Sequence, residues 1–231
     1  MRDIWNEIQA WLAQGRDFAL ARVLQTWGSA PRLPGSGLIV DATGRVAGSV
    51  SGGCVEGEVI LAAQEVLRTG RPAQLKFGVE NEKAWSVGLT CGGQVTVRVE
   101  RFWGCEKEGA GRQAWEALRD AVEGGVPVVA LSETGRPEPS LMIVFPHGGA
   151  SNEEPTSGAA GALHAAARGV YARRSSGLLE VEGREVFAHV FQRPSELIVI
   201  GAGHIAVPLV VFAKSLDFKV SVIDPRGIFT N

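Results

Sequence analysis

Eight glycines fall between Gly28 and Gly57, and this clustering constrains the chain more than any other feature. Glycine reaches φ > 0 and lets backbone come close to backbone or ligand, at an entropic cost that is tolerated only where such geometry is needed. The chain holds 30 glycines in 231 residues, about twice the usual ~7% share. They sit in short runs between apolar segments, which argues for built turns and against low complexity. A hydrophobic share of 45% and a charged share of 21% describe a soluble, cored protein of one to two domains and exclude a disordered chain, a collagen or a coiled coil. Lys+Arg 23 against Asp+Glu 25 leaves a net charge of −2, so composition gives no case for nucleic acid or an anionic membrane as partner.

Three glycine segments present backbone rather than side chains. Gly28-Ser29-Ala30-Pro31-Arg32-Leu33-Pro34-Gly35 combines an arginine with two prolines, a stiff loop able to hold Arg32 toward an anion or to leave it as a solvated charge. Ser49 to Cys54 lies between a strand and a helix start, where the amides of Gly52, Gly53 and Cys54 and the hydroxyls of Ser49 and Ser51 suit an anion-binding nest. Gly88-Leu89-Thr90-Cys91-Gly92-Gly93 is the third. Cys54 falls in the first turn of a helix, whose dipole lowers a thiol's pKa, and Cys91 is little shielded beside its glycines. Each thiol reads either as a ligand for a soft metal or sulfur species or as a small gap-filling residue. Glu56 suits the helix start electrostatically, with acid or base chemistry as the other option. Cys105 looks incidental, and the tryptophans are scattered as core and interface residues are.

Around these motifs the pattern alternates helices and strands. Met1–Gln14 is an amphipathic helix (Ile4, Ile8, Trp11, Leu12) and Phe18–Thr26 a strand. Residues 38–40 and 45–47 form a hairpin about Asp41-Ala42-Thr43-Gly44. A helix follows Cys54 to Arg68, with Val55, Val59, Ala62 and Val66 on one face, ended by Gly70 and Pro72. Val95, Val97 and Val99 alternate with Thr96, Arg98 and Glu100 as a half-buried strand. Residues 104–111 read as a surface connection, 112–123 and 162–173 as helices, 126–131 and 141–145 as strands, and 146–161 as a mobile loop. A last hairpin joins 178–181 to 185–191. Arg193-Pro194-Ser195 closes this α+β domain, residues 1–193, and a different unit occupies 194–231.

That second unit carries a dinucleotide-type fingerprint. The apolar strand Leu197–Ile200 leads into Gly201-Ala202-Gly203-His204-Ile205-Ala206, a helix to Leu216 and a strand Val220–Ile223. Gly201 permits the tight turn, Gly203 admits a pyrophosphate, and Asp224, 21 residues past Gly203, stands where a carboxylate reaches a ribose hydroxyl. His204 reads as a polar residue at the strand top, with catalysis as the other option. Two parallel strands and one helix cannot cover both faces of a sheet. The expectation is therefore a shortened Rossmann-like domain, or a stub that docks on a partner or on another copy. Three cysteines and no basic-then-apolar leader indicate a cytoplasmic protein, and Leu197–Ala213 is too short and too glycine-rich for a membrane span. The fold class is thus α/β.

Taken in order, Gly28-Ser29-Ala30-Pro31-Arg32, Gly48-Ser49-Val50-Ser51-Gly52-Gly53-Cys54-Val55-Glu56, Gly88-Leu89-Thr90-Cys91-Gly92-Gly93 and Gly201-Ala202-Gly203-His204 resemble the XdhC/CoxI family. The resemblance implies an N-terminal α+β domain, a Rossmann-like C-terminal domain and a role as accessory factor to molybdenum hydroxylases such as xanthine dehydrogenase or CO dehydrogenase. It implies binding of the molybdenum cofactor, its sulfuration with a cysteine desulfurase, and its delivery to the apo-enzyme, without net catalysis by this chain. On that reading a molybdopterin phosphate suits Arg32 and the Ser49, Ser51, Gly52, Gly53 and Cys54 segment, and a nucleotide tail suits Gly201, Gly203, His204 and Asp224. Cys54 and Cys91 are the candidates for the metal's neighbourhood, and Gly92 belongs with Cys91 to the cofactor-binding set. The alternatives are an NAD(P)-dependent oxidoreductase fragment and a non-binding scaffold subunit.

Overall fold

Antiparallel sheets stacked face to face position everything in the larger part of the chain. The computed structural model describes residues 1–78, 93–136, 141–146, 158–216 and 218–226. The chain divides into two compact units, Met1–Phe191 and Gln192–Asn231.

In the first unit a 3-10 turn, Arg2–Ile4, leads into α1 (Trp5–Ala13). Strands β1 (Phe18–Trp27), β2 (Gly37–Asp41), β3 (Val46–Gly48), β4 (Ala73–Phe77) and β5 (Gln94–Arg101) form an antiparallel sheet of order β3-β2-β1-β5-β4, with α2 (Glu56–Thr69) between β3 and β4. After α3 (Ala110–Glu123), strands β6 (Val128–Glu133), β7 (Leu141–Val144), β8 (Gly177–Val181) and β9 (Arg184–Phe191) form a second antiparallel sheet, β7-β6-β9-β8, with α4 (Gly158–Arg173) between β7 and β8.

Side-chain parity explains the stacking. Ala19, Ala21 and Val23 of β1 join Leu38, Val40, Val95, Val97 and Val99 under Val59, Ala63 and Val66 of α2. Phe18 and Leu20, on the opposite face, pack with Val128, Ala130 and Phe191 of the second sheet and with Trp115 and Leu118 of α3. The far face of the second sheet carries Val129, Leu131, Val186 and Ala188 under Ala167 and Val170 of α4. The order is therefore helix, sheet, sheet, helix.

Between the sheets lies a buried ionic group. Arg22 donates to Glu100 at 2.9 Å and to the Ser132 hydroxyl at 3.1 Å, its guanidinium 5.1 Å from the Phe187 ring centre. Arg98 reaches Glu100 at 3.1 Å and the carbonyls of Thr134 and Arg136. Arg98 and Glu100 therefore do not line the polar side of a half-buried strand, because a second sheet covers them. β1 also shifts register against β5 between Val23 and Gln25, and on its β2 side Val23 exchanges hydrogen bonds with Gly35 and Ser36.

Other differences are local. The strand Ala73–Phe77 was unexpected, although Ala73, Leu75 and Phe77 alternate with Gln74 and Lys76. On α2 it is Ala63, not Ala62, that is fully buried. The stretch 104–111 begins inside the core, with Trp103 and Gly104 buried in a 3-10 turn. Burial raises the Cys105 thiol to about 11. α4 starts at Gly158, four residues earlier than expected, and residues 147–157 of the expected mobile loop lie outside the described residues.

The second unit is the expected parallel pair: β10 (Glu196–Ile200), α5 (Ala206–Ser215) and β11 (Lys219–Ile223), with Ile198 opposite Ser221. The mixed α/β class read from the pattern is thus what the chain adopts. Among the described residues no helix is long and apolar enough to cross a membrane.

Candidate functional site

The loop at Ser49–Cys54 is a nest with an anion already inside it, the carboxylate of Glu56. Glu56 is the first residue of α2 and turns back over the loop. Its Oε1 accepts from the Ser49 hydroxyl at 2.7 Å and from the amides of Ser51 at 2.9 Å and Val50 at 3.2 Å. Its Oε2 accepts from the Gly53 amide at 2.9 Å, the Val55 amide at 3.2 Å and the Ser51 hydroxyl. The Gly52 and Cys54 amides donate to the hydroxyls of Ser49 and Ser51, each at 2.9 Å.

Gly52 (φ +82°) and Gly53 (φ +118°) supply the left-handed backbone that aims these groups inward. Partial burial alone would raise the Glu56 pKa. The hydrogen bonds from Ser51 and Ser49 outweigh it and bring the carboxyl down to about 2. The amides of Gly52, Gly53 and Cys54 were expected to face an added anion, but here they are satisfied within the loop.

The loop's outer side is bare main chain. Nothing lies within 4 Å of a Cβ built at Gly53, and at Gly52 only the Pro31 ring comes near, at 3.6 Å. Cys54 is half-buried and packs against the core under α2.

Pro31 brings the first glycine segment against the second, and Gly93 brings in the end of the third. A Cβ on Gly93 would sit 2.6 Å from the Ser29 carbonyl oxygen and 3.1 Å from that of Trp27, so only glycine allows this approach. The motifs that the sequence spaces far apart thus meet where β1 ends and β5 begins. Arg32 does not point to an open anion site; it pairs with Asp3. Its Nε is buried without a hydrogen-bond partner among the described residues. Cys91 and Gly92 lie outside the described residues.

In the second unit Gly201 takes φ +106° and donates to Ile223 at 2.7 Å. Nothing lies within 4 Å of a Cβ built at Gly201 or Gly203, so a ligand can approach both. His204 is exposed. Asp224, its side chain shut off from solvent, accepts from the Ala202 amide at 2.7 Å, the Arg226 amide at 2.8 Å and the Arg226 guanidinium at 2.8 Å and 3.0 Å. Those donors, Arg226 foremost, hold its carboxyl well below the usual carboxylate range.

Sequence reasoning gave no sign of an open cavity of about 460 Å³ lined by Gln9, Leu12, Trp115 and residues of α3. Its two arginines are already paired, Arg112 with Glu116 and Arg119 with Asp120. Among the described residues no three His, Cys, Asp or Glu side chains gather as metal ligands.

Comparison with known proteins covers the first two glycine segments with a family match. Residues 11–78 match the XdhC and CoxI family. The chain is similar to the molybdenum cofactor insertion chaperone PaoD of Escherichia coli, with 32% identity over 91 residues, 39% of this chain and 28% of that protein. It is also similar to a probable xanthine dehydrogenase subunit of Bacillus subtilis, with 25% identity over 237 residues, 99% of this chain and 66% of that protein. A solved Bacillus halodurans structure named as a xanthine dehydrogenase shares the fold with a TM-score of 0.69 at 23% identity, covering all of this chain and 65% of that one. The chain thus spans two thirds or less of the length of each.

Proposed function

We propose that this chain, whose residues 11–78 match the XdhC and CoxI family, is a maturation factor that binds the molybdenum cofactor and hands it to a molybdenum hydroxylase. One observation carries the reading. The stretch that matches the family supplies most of the glycine end of the first unit, namely β1, the 28–35 loop, the 49–54 loop and α2, with Gly93 joining from beyond it. The similarity to a molybdenum cofactor insertion chaperone supports the same assignment.

The fit to the cofactor is uneven. The amides inside the 49–54 loop do not suit an added phosphate, because Glu56 and the Ser49 and Ser51 hydroxyls already take them. The outer backbone of Gly52 and Gly53 and the turn at Gly201 and Gly203 do suit a closely approaching ligand, since a Cβ there would project into open or nearly open space. When bound, the cofactor supplies the redox chemistry of the hydroxylase. This chain's residues bind it, orient it and keep water from it until transfer. Sulfuration by a cysteine desulfurase in the bound state, a nucleotide tail against Gly201–Gly203, and contact of Cys54 or Cys91 with the metal belong to the same proposal. An NAD(P)-dependent oxidoreductase takes second place, because Asp224 is held by Ala202 and Arg226.

Anaerobic incubation of the purified chain with cofactor released from a molybdenum hydroxylase tests the proposal. Molybdenum and oxidised pterin are counted after gel filtration, and the loaded protein is then added to apo-hydroxylase. Co-elution near one cofactor per chain and a rise in hydroxylase activity are expected. Absence of both overturns it.

A further inference from the structure

Among the described tryptophans, Trp11, Trp103 and Trp115 are at most 5% exposed and Trp5 packs against Trp115, but Trp27 is 68% exposed. Trp27 is the last residue of β1 and pairs with Gln94. Val95, Val97 and Val99 face α2, so the neighbouring position shared by Trp27 and Gln94 faces the other way. The main chain of Trp27 and Ser29 is held against Gly93, and Pro31 against Gly52. A large indole therefore stands in water where the glycine loops of the first unit meet. Leu33, 74% exposed, is in the same loop.

The composition of this end favours a small flat ligand over a protein. A protein-binding hot spot is an aromatic anchor inside a wide, desolvated patch. Here the residue carrying the indole has its own main chain against Gly93, and the loop that follows it holds Gly28, Pro31, Pro34 and Gly35, so the exposed ring stands beside backbone donors and acceptors. Flat heteroaromatic systems with polar rims bind such places by stacking on the indole and hydrogen-bonding at their edges.

We infer that Trp27 is the stacking platform for the pterin rings of the cofactor, an assignment that rests on the cofactor-carrier reading above. Trp27 is a binding residue here, and its indole contributes contact area rather than chemistry.

The test compares wild type, Trp27→Phe and Trp27→Leu of the full chain. Each is titrated anaerobically with molybdenum cofactor released from a hydroxylase, and bound cofactor is read as molybdenum and as oxidised-pterin fluorescence. Trp27→Phe is expected to bind within about threefold of wild type and Trp27→Leu roughly 5- to 100-fold more weakly. Melting temperatures should be unchanged, because the side chain is exposed. If Trp27→Leu binds as wild type does, the platform is overturned and the carrier reading stands. If Trp27→Leu keeps its cofactor but no longer captures the apo-hydroxylase, Trp27 is a protein contact and the platform is again overturned. If wild type takes up no cofactor, both fall.

Discussion

Two glycine turns in this chain each join a strand to a helix and each meet a carboxylate, yet one is closed and the other open. In the loop before α2 the carboxylate comes from the helix itself, and Glu56 takes six donors at once. In the turn after β10 it comes from the end of the neighbouring strand, and Asp224 takes one turn amide, leaving Gly201 and Gly203 bare. The helices differ in the same sense. α2 is amphipathic and seats Val59, Ala63 and Val66 on its sheet. α5 leaves Val207, Val211, Phe212 and Leu216 at its end all more than 60% exposed. Glycine spacing alone does not separate the two kinds of turn. An acid at the first helical position does, because a local carboxylate fills a nest before any ligand arrives.

The largest break in this comparison should come from Gly48→Ala. Gly48 has φ +93°, and a Cβ there would lie 2.3 Å from the Gly37 carbonyl oxygen and 2.4 Å from Ile4. Backbone strain plus a clash with main chain is expected to cost about 3 kcal/mol or more in urea unfolding. Gly203→Ala, with open space around it, should stay within about 0.5 kcal/mol. Equal losses in both would refute the division into closed and open turns.

Glu56→Gln comes next. It keeps the shape of the side chain and removes the charge that six donors share, so a loss of about 1–2 kcal/mol is expected, reduced by partial solvent screening. The folded carboxyl titrates at about 2, below its usual value of 4.5. Its contribution is therefore complete above about 4.5 and fades as pH falls toward 2. Unfolding midpoints of wild type and variant should converge over that window; a constant gap would mean the charge is irrelevant.

At neutral pH the smallest effect is expected from His189, whose contribution shows only on acidification. It is buried, stacked on Phe191 at 4.3 Å, with Nδ1 unpartnered among the described residues. Burial first, and nearby positive groups including Arg22 second, hold its pKa well below 6.5. The unfolded chain binds the proton that the folded one refuses, so stability falls as pH drops below 6.5, by up to about 1.4 kcal/mol per unit. His189→Gln should flatten the decline between pH 6.5 and 5, ahead of the Glu56 window.

Much of the architecture was legible because one-sided burial leaves a period. The β1 run, the β2–β3 hairpin, the α2 stripe and the β10–α5–β11 unit all announced themselves in that way. What covers the second face of a sheet leaves no such trace. Arg98 and Glu100 alternate with valines as solvated residues do, and only the second sheet, with Ser132 and Phe187 against Arg22, shows them to be interior. The glycine segments were legible as turns, but their convergence depends on Gly93 and Pro31 touching residues far away in sequence. Arg32 was read as an anion ligand or a solvated charge and Asp224 as a ribose ligand, and the fold pairs both within the chain. Their partners Asp3 and Arg226 could not be told from any other nearby ion by spacing alone.

The register slip in β1 has an outcome of its own. One additional residue in a pleated ribbon is taken up at the slip, so the alternation past it restarts opposite Thr96 and the indole closing the ribbon lands opposite Gln94. Deleting Leu24 would straighten the ribbon and leave the ring on the face it holds now, whereas one more residue between Gln25 and Trp27 would turn it toward the helix-covered side. The slip thus makes this strand tolerant of a deletion at that point, while an insertion beyond it would change the surface presented to a ligand.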